Sequence, residues 1–273
     1  TSNITVGTLN HQAAGASITG TTGTIAVTNA TLGRPVTKTG GNITITGGAV
    51  NLTGTTTLDT GGAGGNITLG STINGNSAFT ATAGTGSINV TGIIGGVTPI
   101  GTVSMTSSTG ITIGSNITTN NAGLTLTGPV ILSASRTLST GAGAGNITIT
   151  GTVTNTISRT LTLTAGTGNI DLQSSIGGGT ALAALSASGT AISLPTTNVS
   201  GNIQLTGTGA VTQTGVLTAA GLELLGAGGT HTLNTQNNAI TTIAGNTGTV
   251  LFRDDTGFAV GTVNTAGLTT TGN

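Results

Sequence analysis

The chain alternates apolar and small polar residues over short runs, and each run follows a glycine-containing dipeptide. The hexamer Gly-Asn-Ile-Thr-Ile-Thr occurs at 41–46 and again at 145–150. Successive side chains of a strand point to opposite faces, so Ile147 and Ile149 share one face while the threonines share the other. Glycine, and less freely asparagine, accepts the positive φ of a tight corner. Each hexamer therefore predicts a corner followed by a short strand with one apolar face.

Variants of this hexamer recur along most of the chain, beginning at Gly65, Gly86, Gly168 and Gly201. A longer unit repeats as well, because 59–69 resembles 139–149 at an offset of 80 residues, and 83–88 resembles 165–170 at an offset of 82. One short strand cannot bury its apolar face alone, whereas a stack of copies forms a continuous core. We therefore expect a higher-order repeat of about 80 residues.

The spacing of the corners predicts the fold class. Hexamer-type strands at 41, 65, 86 and 110 are 24, 21 and 24 residues apart, which is typical of the coils of a β-solenoid. We predict an all-β protein, a parallel β-helix or β-solenoid with roughly a dozen coils of about 20–24 residues. A sandwich or barrel of hairpins is disfavoured, because Asn-Gly and Asp-Gly hairpin turns are nearly lacking.

The predicted domain organisation is a single β-solenoid over 1–273. Its parts are irregular first coils over 1–40, long repeats over 41–120 and 121–200, and a degenerate third repeat over 201–273. Within the first part, Thr31 to Lys38 contains Arg34 and Pro35, and we expect this segment to leave the stack.

The composition of the chain argues against several classes of function. The 273 residues include 50 glycines, about a quarter are threonine, and charged residues make up 4%. Five basic and five acidic residues give a net charge of zero, so the chain lacks the basic surface that nucleic-acid binding requires. The absence of cysteine excludes disulfides and thiolate metal sites. No apolar run approaches the roughly 20 residues of a membrane span, so we expect no membrane insertion.

Two runs carry a resemblance to a known family. Residues 161–172 (LTLTAGTGNIDL) and 139–148 (STGAGAGNIT) resemble repeat regions of filamentous-haemagglutinin-like and autotransporter-type bacterial surface adhesins. The resemblance covers most of the chain, although its motifs are compositional. It implies a right-handed parallel β-helix exported to the bacterial cell surface, where it acts as an adhesin stalk or as a filament of the extracellular or biofilm matrix.

The residues that could support catalysis are few. The acids are Asp59, Asp171, Glu223, Asp254 and Asp255. Paired carboxylates for glycoside cleavage must face one sugar about 5 to 9.5 Å apart, and the adjacent Asp254 and Asp255 are expected on opposite faces of a strand. His11 and His231 are far apart in the sequence. We therefore expect no enzyme activity, no catalytic residues and no cofactor.

A metal site is also not expected. The turn at 61–66 (GGAGGN) resembles the calcium-binding nonapeptide, but Asn66 stands where the carboxylate should be. Calcium requires several oxygen ligands with negative charge. A glycine turn without a metal is the favoured interpretation.

The segment 250–260 departs from the repeat, since it contains two of the three phenylalanines and three of the ten charged residues. We identify Phe252, Arg253, Asp254, Asp255 and Phe258 as a candidate contact patch for a ligand or a neighbouring coil. The alternative, which we favour, is a larger core residue beneath a turn that carries an ordinary exposed ion pair.

Taken together, these features predict a non-enzymatic extracellular protein that forms the rod or fibre of a surface adhesin or matrix filament. Its partners would be other copies of itself, stacked end to end, or the rest of a longer parent chain, because neither end shows a polar cap. Host-surface or matrix glycans are further candidate partners. The alternative is a threonine-lined helix that binds ice or carbohydrate, although the Thr-x-Thr rank is interrupted at Asn89 and Gln204.

Overall fold

The chain is a parallel β-solenoid. The computed structural model describes residues 4–11, 18–20 and 24–272, and these residues form strands and turns but no helix. The solenoid makes about 11 turns, with successive turns about 22 residues apart. The predicted fold class is therefore confirmed. The chain divides into two compact units, Thr1–Ala134 and Ser135–Asn273.

The strands of the first unit are short and parallel. They are β1 (Ile4–His11), β2 (Ile18–Gly20), β3 (Thr24–Leu32), β4 (Val36–Lys38), β5 (Asn42–Ile45), β6 (Val50–Leu52), β7 (Thr56–Asp59), β8 (Ile67–Leu69), β9 (Ile73–Asn74), β10 (Phe79–Thr82), β11 (Ser87–Val90), β12 (Val103–Thr106), β13 (Gly110–Ile113), β14 (Ile117–Thr118), β15 (Leu124–Thr127) and β16 (Val130–Leu132).

In-register stacking builds the core of the first unit. The ladders β5–β8, β8–β11, β11–β13 and β13–β16 align equivalent residues of successive turns. One column of the interior contains Ile43, Ile67, Ile88, Ile111 and Val130, all at most 1% exposed. Burial of an aliphatic side chain contributes about 1.5–3 kcal/mol, so each turn supplies the apolar surface that its neighbours need.

The strands of the second unit continue the same pattern. They are β17 (Arg136–Ser139), β18 (Ile147–Ile149), β19 (Val153–Asn155), β20 (Thr160–Thr164), β21 (Ile170–Leu172), β22 (Ala184–Gly189), β23 (Ile192–Leu194), β24 (Thr197–Asn198), β25 (Asn202–Gly207), β26 (Ala210–Gln213), β27 (Leu217–Asp254), β28 (Ala259–Val260) and β29 (Leu268–Thr270).

Strand β27 is much longer than the others because its pairing continues around corners. It pairs in turn with β24, β25 and β26. Its bends include Gly226 (φ 117°) and Gly228 (φ 75°), where a side chain would be strained. The last strands, β28 and β29, both pair with β27, and an insertion between them carries an isolated antiparallel bridge from Thr262 to Ala266.

The expectation that Thr31 to Lys38 leaves the stack is wrong for most of that segment. Strand β4 pairs with β2 on one side and with β7 on the other, and Val36 and Lys38 are buried. Strand β3 extends to Leu32, so the excursion is limited to Gly33, Arg34 and Pro35. The charged residue and the proline indicate only a corner, whereas the alternation of Val36, Thr37 and Lys38 is that of a strand with one buried face.

Candidate functional site

The asparagines of the repeated hexamer connect one turn to the next. In the first unit, Asn42 Oδ1 accepts a hydrogen bond from Asn66 N at 2.8 Å, and Asn66 Oδ1 accepts one from Ser87 N at 2.8 Å. In the second unit, Asn146 Oδ1 accepts from Asn169 N at 2.8 Å, and Asn169 Oδ1 accepts from Ala191 N at 3.1 Å. The side-chain oxygen thus satisfies a corner N–H that the strand ladders leave unpaired.

The glycines at the same corners permit close approach of the backbones. A Cβ atom at Gly65 would lie 2.1 Å from Gly41 O, and one at Gly168 would lie 2.1 Å from Gly145 O. Buried threonines brace the corners, since Thr60 Oγ1 donates to Gly65 O at 2.7 Å and Thr140 Oγ1 donates to Gly145 O at 2.7 Å. The motif therefore encodes contact between coils.

In the glycine turn that resembles the calcium-binding motif, the nearby carboxylate makes a hydrogen bond to the backbone of the turn. Asp59 Oδ1 accepts a hydrogen bond from Gly61 N at 2.7 Å. The equivalent turn of the second unit has Ser139 in that role, with Gly141 N donating to Ser139 Oγ at 3.2 Å. Across the described ranges, no group of three or more His, Cys, Asp or Glu side chains is placed to hold a metal ion.

The structure brings the five residues of the candidate contact patch into one turn. The rings of Phe252 and Phe258 meet edge to face with centroids 5.0 Å apart. Arg253 Nε lies 3.8 Å from Asp255 Oδ1, and about half of each side chain is exposed. An ion pair with this exposure contributes roughly 0–1 kcal/mol. The rings, rather than the ion pair, hold the two ends of the turn together.

Asp254 has a different role from its neighbours in the patch. Its Oδ2 accepts from Ile240 N at 2.7 Å, and its Oδ1 accepts from the backbone and hydroxyl of Thr256, both at 2.8 Å. Burial raises the pKa of Asp254, but these hydrogen bonds outweigh that effect and lower the pKa below its ordinary value. Asp254 is therefore an anionic clamp within the turn.

Glu223 is a second anionic clamp, and sequence reasoning did not assign it a contact. It is 1% exposed. Its oxygens accept from Gln204 Nε2 and Asn264 Nδ2 at 2.7 Å, and from Thr265 N and Oγ1 at 2.7 and 2.6 Å. Burial opposes ionisation, yet hydrogen bonds led by Thr265 hold the pKa of Glu223 below its usual value. The carboxylate fastens the insertion between β28 and β29 onto the neighbouring turn.

The two histidines are buried side chains that make contacts within the protein. His11 Nε2 lies 3.1 Å from Pro35 O. His231 is fully buried, with Nδ1 3.2 Å from Thr247 Oγ1. Burial lowers the pKa of His231 to about 4, against a smaller opposing effect of the Leu205 backbone. A neutral imidazole in this position is packed as a core side chain.

Asn238 joins three stretches of the second unit. Its Oδ1 accepts hydrogen bonds from Gln213 Nε2 and Leu217 N, both at 2.9 Å. Its Nδ2 shares two hydrogens among Gln213 Oε1 at 3.1 Å and the carbonyl oxygens of Leu233 and Arg253, both at 2.9 Å. The alternation of the sequence gives no sign of this network, since asparagine is frequent at the corners. The available signal is the place of Gln213, at a position that is aliphatic in earlier turns.

The outward threonines form columns whose regularity differs between faces. On the face of β5, β8, β11 and β13, the column runs Thr44, Thr68, Asn89, Thr112, so the expected interruption at Asn89 is present. The face of β7, β10, β12 and β15 is more regular, because seven of its eight outward positions carry a hydroxyl group. Its two columns are Thr57, Thr80, Ser104, Thr125 and Asp59, Thr82, Thr106, Thr127.

A shallow cleft of about 530 Å³ opens in the first unit beside the corner at Gly33 to Pro35. Thr53, Gly54 and Thr55 form its other wall, and the exposed Arg34 is its one charged side chain. The cleft is open to solvent and brings together no acid–base pair.

No helix in the part of the chain that the structure describes is long and apolar enough to cross a membrane. Comparison of the chain with protein-family models, with curated proteins and with solved structures finds no match.

Proposed function

We propose that the chain is a non-enzymatic structural and adhesive protein, the rod or fibre-forming part of an extracellular bacterial surface adhesin or matrix filament. The observation that carries the proposal is the use of the repeated motif. The side-chain oxygens of Asn66, Asn169 and their equivalents accept hydrogen bonds from the next turn. The asparagines of the motif therefore serve contact between turns and not catalysis. A repeat with this role adds length and polar lateral surface with each turn.

The titratable side chains support a non-enzymatic role. Glu223 and Asp254 accept hydrogen bonds that fix the ionised state, and a carboxylate with a lowered pKa is a poor general acid or base near neutral pH. His231 lies in the interior, away from any substrate. We expect no hydrolysis of neutral or acidic polysaccharides by the purified chain, measured as release of reducing ends.

The partner in a filament would be another β-coil, either of a second copy or of a longer chain. Strands β28 and β29 pair with β27 on one side, and Phe258 and Val260 nearby are 44% and 59% exposed. An exposed parallel edge beside apolar surface favours addition of a strand. Negative-stain electron microscopy with and without a calcium chelator tests this proposal. Filaments that resist chelation support it, and isolated short particles at high protein concentration contradict it.

A second candidate function rests on the columns of β7, β10, β12 and β15. Hydroxyls repeat there at strand spacing along and across the turns, which suits an ordered array of water or sugar hydroxyls. Ice recrystallisation measured with the wild type, with Thr106→Lys on this face and with Thr112→Lys on the interrupted face tests the candidate. Inhibition that Thr106→Lys abolishes and Thr112→Lys spares would favour ice binding. No inhibition by the wild type would remove it.

A further inference from the structure

One corner of the first unit does not repeat its residues from turn to turn. It follows a column of residues paired across five turns, which are Ala30, Val50, Ile73, Ile94 and Ile117. The third residue after each member of that column holds the same place in the corner, and these residues are Gly33, Thr53, Asn76, Val97 and Asn120. We call this second column the variable corner. With about 4.8 Å between turns, its ends lie roughly 19 Å apart along the axis.

The turn that contains Val97 has a longer corner than the turn before it. It takes nine residues to pass from Ile94 to Val103, whereas the preceding turn takes six from Ile73 to Phe79. The extra residues form a loop that projects into solvent, since Val97 is 85% exposed. The side chain of Val97 is therefore available for contact with a ligand.

Side-chain amides join the turns on either side of this loop. Asn74 Oδ1 fixes the loop by accepting hydrogen bonds from Val97 N at 3.0 Å and Thr98 N at 3.2 Å. Asn120 Nδ2 donates to Asn76 Oδ1 at 3.1 Å, although two turns separate these residues. Each amide has two N–H hydrogens and an oxygen with two lone pairs, and both residues are exposed. The pair therefore retains donors and acceptors for the hydroxyl groups of a ligand.

The cleft beside Arg34 lies at the other end of the variable corner. Arg34 is exposed there, and the described residues that line the cleft include no acid. The ion pair found among the described residues joins Arg253 to Asp255, so the Arg34 guanidinium has no acidic partner among them. Thr53 belongs both to the wall of the cleft and to the variable corner. An accessible cation and the joined amides therefore lie along one edge of the first unit.

We propose that the variable corner, together with the Arg34 cleft, is a binding edge for a linear acidic polysaccharide that lies along the axis of the first unit. The Arg34 guanidinium donates hydrogen bonds to a carboxylate or sulfate group, for which its planar fork is suited. The amides of Asn76 and Asn120 exchange hydrogen bonds with sugar hydroxyls, which also both donate and accept. Val97 contacts the apolar face of a sugar ring. The ligand class rests on the adhesive role proposed above, but the edge can be tested without that role.

Isothermal titration calorimetry of the full chain tests the edge with polygalacturonate, dextran sulfate and neutral dextran. We expect the two acidic polymers to bind, and neutral dextran to bind about ten-fold more weakly or not at all. Arg34→Gln weakens binding of the acidic polymers by about ten-fold, because the carboxylate or sulfate loses its charged donor. Arg253→Gln removes an exposed arginine that already has an acid, so it is the matched control and leaves binding unchanged.

Variants of the loop and the amide pair separate recognition of a sugar chain from attraction of anions to one arginine. We expect Val97→Ser and Asn120→Ala each to weaken polygalacturonate binding about three-fold or more. The matched controls are Ile157→Ser, at an exposed position of the second unit, and Asn89→Ala, on the face of β11, and neither should change it. Absence of binding to both acidic polymers, equal affinity for neutral dextran, or equal effects of the variants and their controls would overturn the proposal.

Adhesion to surfaces coated with the same acidic polymers distinguishes failure of this proposal from failure of the adhesive function. Calorimetric binding without adhesion would overturn the adhesive function and leave the binding edge standing. Adhesion that Arg34→Gln and Val97→Ser do not weaken would overturn the binding edge and leave the adhesive function standing.

Discussion

One interior column of the second unit changes its chemistry between the middle turns and the last turns. Its first four members are Ile147, Ile170, Ile192 and Val211, and the next member is His231. The earlier turns use aliphatic columns with a glycine–asparagine corner, while the turns after Leu217 bury Glu223, His231 and Asn238. Both regions share the same parallel ladder, so the fold tolerates either interior.

The two interiors specify the register of stacking differently. An aliphatic strand with period two keeps its apolar face after a slip of two residues. The Asn238 network has no such freedom, since its amide must meet Gln213, Leu217 and the Leu233 carbonyl together. We infer that hydrogen-bonded polar side chains replace the repeat as the source of register where the repeat has decayed.

Replacement of Asn238 gives the largest expected effect. Asn238→Ala leaves the Gln213 amide and three backbone groups without their buried partner, so we expect the free energy of unfolding to fall by about 4 kcal/mol. Asn237→Ala, at the exposed neighbour, is the control and should change it by less than about 0.5 kcal/mol. Urea unfolding followed by circular dichroism measures both. Equal losses would show that the network is not the source of register.

The pH dependence of stability tests the histidine in the aliphatic column. The pKa of His231 is about 4 in the folded chain and 6.5 ordinarily, so the unfolded chain binds more protons between these values. The contribution is complete above about pH 6.5 and is lost as the pH falls toward 4, in total about 3 kcal/mol.

The variant His231→Leu, which restores an aliphatic member to the column, should remove this part of the pH dependence. Thr247 retains a partner in the variant, because its hydroxyl also donates to Gly226 O at 2.9 Å. Unfolding free energies measured from pH 7 to 4 give the comparison. A wild type and variant with parallel pH profiles would contradict a neutral, buried His231.

A methyl group in the glycine corner should have a smaller but specific effect. In Gly65→Ala the new Cβ would overlap Gly41 O, and the required backbone shift should cost about 2 kcal/mol. Gly62→Ala lies in the same turn, where nothing is within 4 Å of the added Cβ, and should be nearly neutral. Thermal unfolding compares the pair. A similar loss in both would contradict close approach to Gly41 O as the reason for glycine at position 65, since neither residue has a positive φ.

Loss of one asparagine hydrogen bond between turns should have the smallest effect on the free energy of unfolding. Asn66→Ala removes the acceptor for Ser87 N, but this corner is exposed and water can replace the oxygen. We expect a loss of about 1 kcal/mol. Asn51→Ala, at an exposed strand position without a side-chain hydrogen bond, is the matched control. If Asn66→Ala leaves the free energy of unfolding unchanged, the asparagine hydrogen bonds between turns do not contribute to coil stacking.

The sequence supports prediction where neighbouring turns repeat each other. The alternation around Ile43 and Ile147 predicts strands, faces and stacking because each residue meets its own equivalent. The contacts of Glu223 with Asn264 and Thr265 are not predictable in this way, since they link residues about 41 positions apart through an insertion without a repeat.

Amide hydrogen exchange measured by nuclear magnetic resonance tests most directly whether the repeated motif holds coil to coil. The account predicts that the amides of Ser87 and Asn169 exchange slowly, and at the same rate with calcium or with a chelator. It also predicts that Asn66→Ala accelerates exchange at Ser87 and leaves Asn169 unchanged. Rapid exchange at both amides in the wild type, or protection that requires calcium, would contradict it.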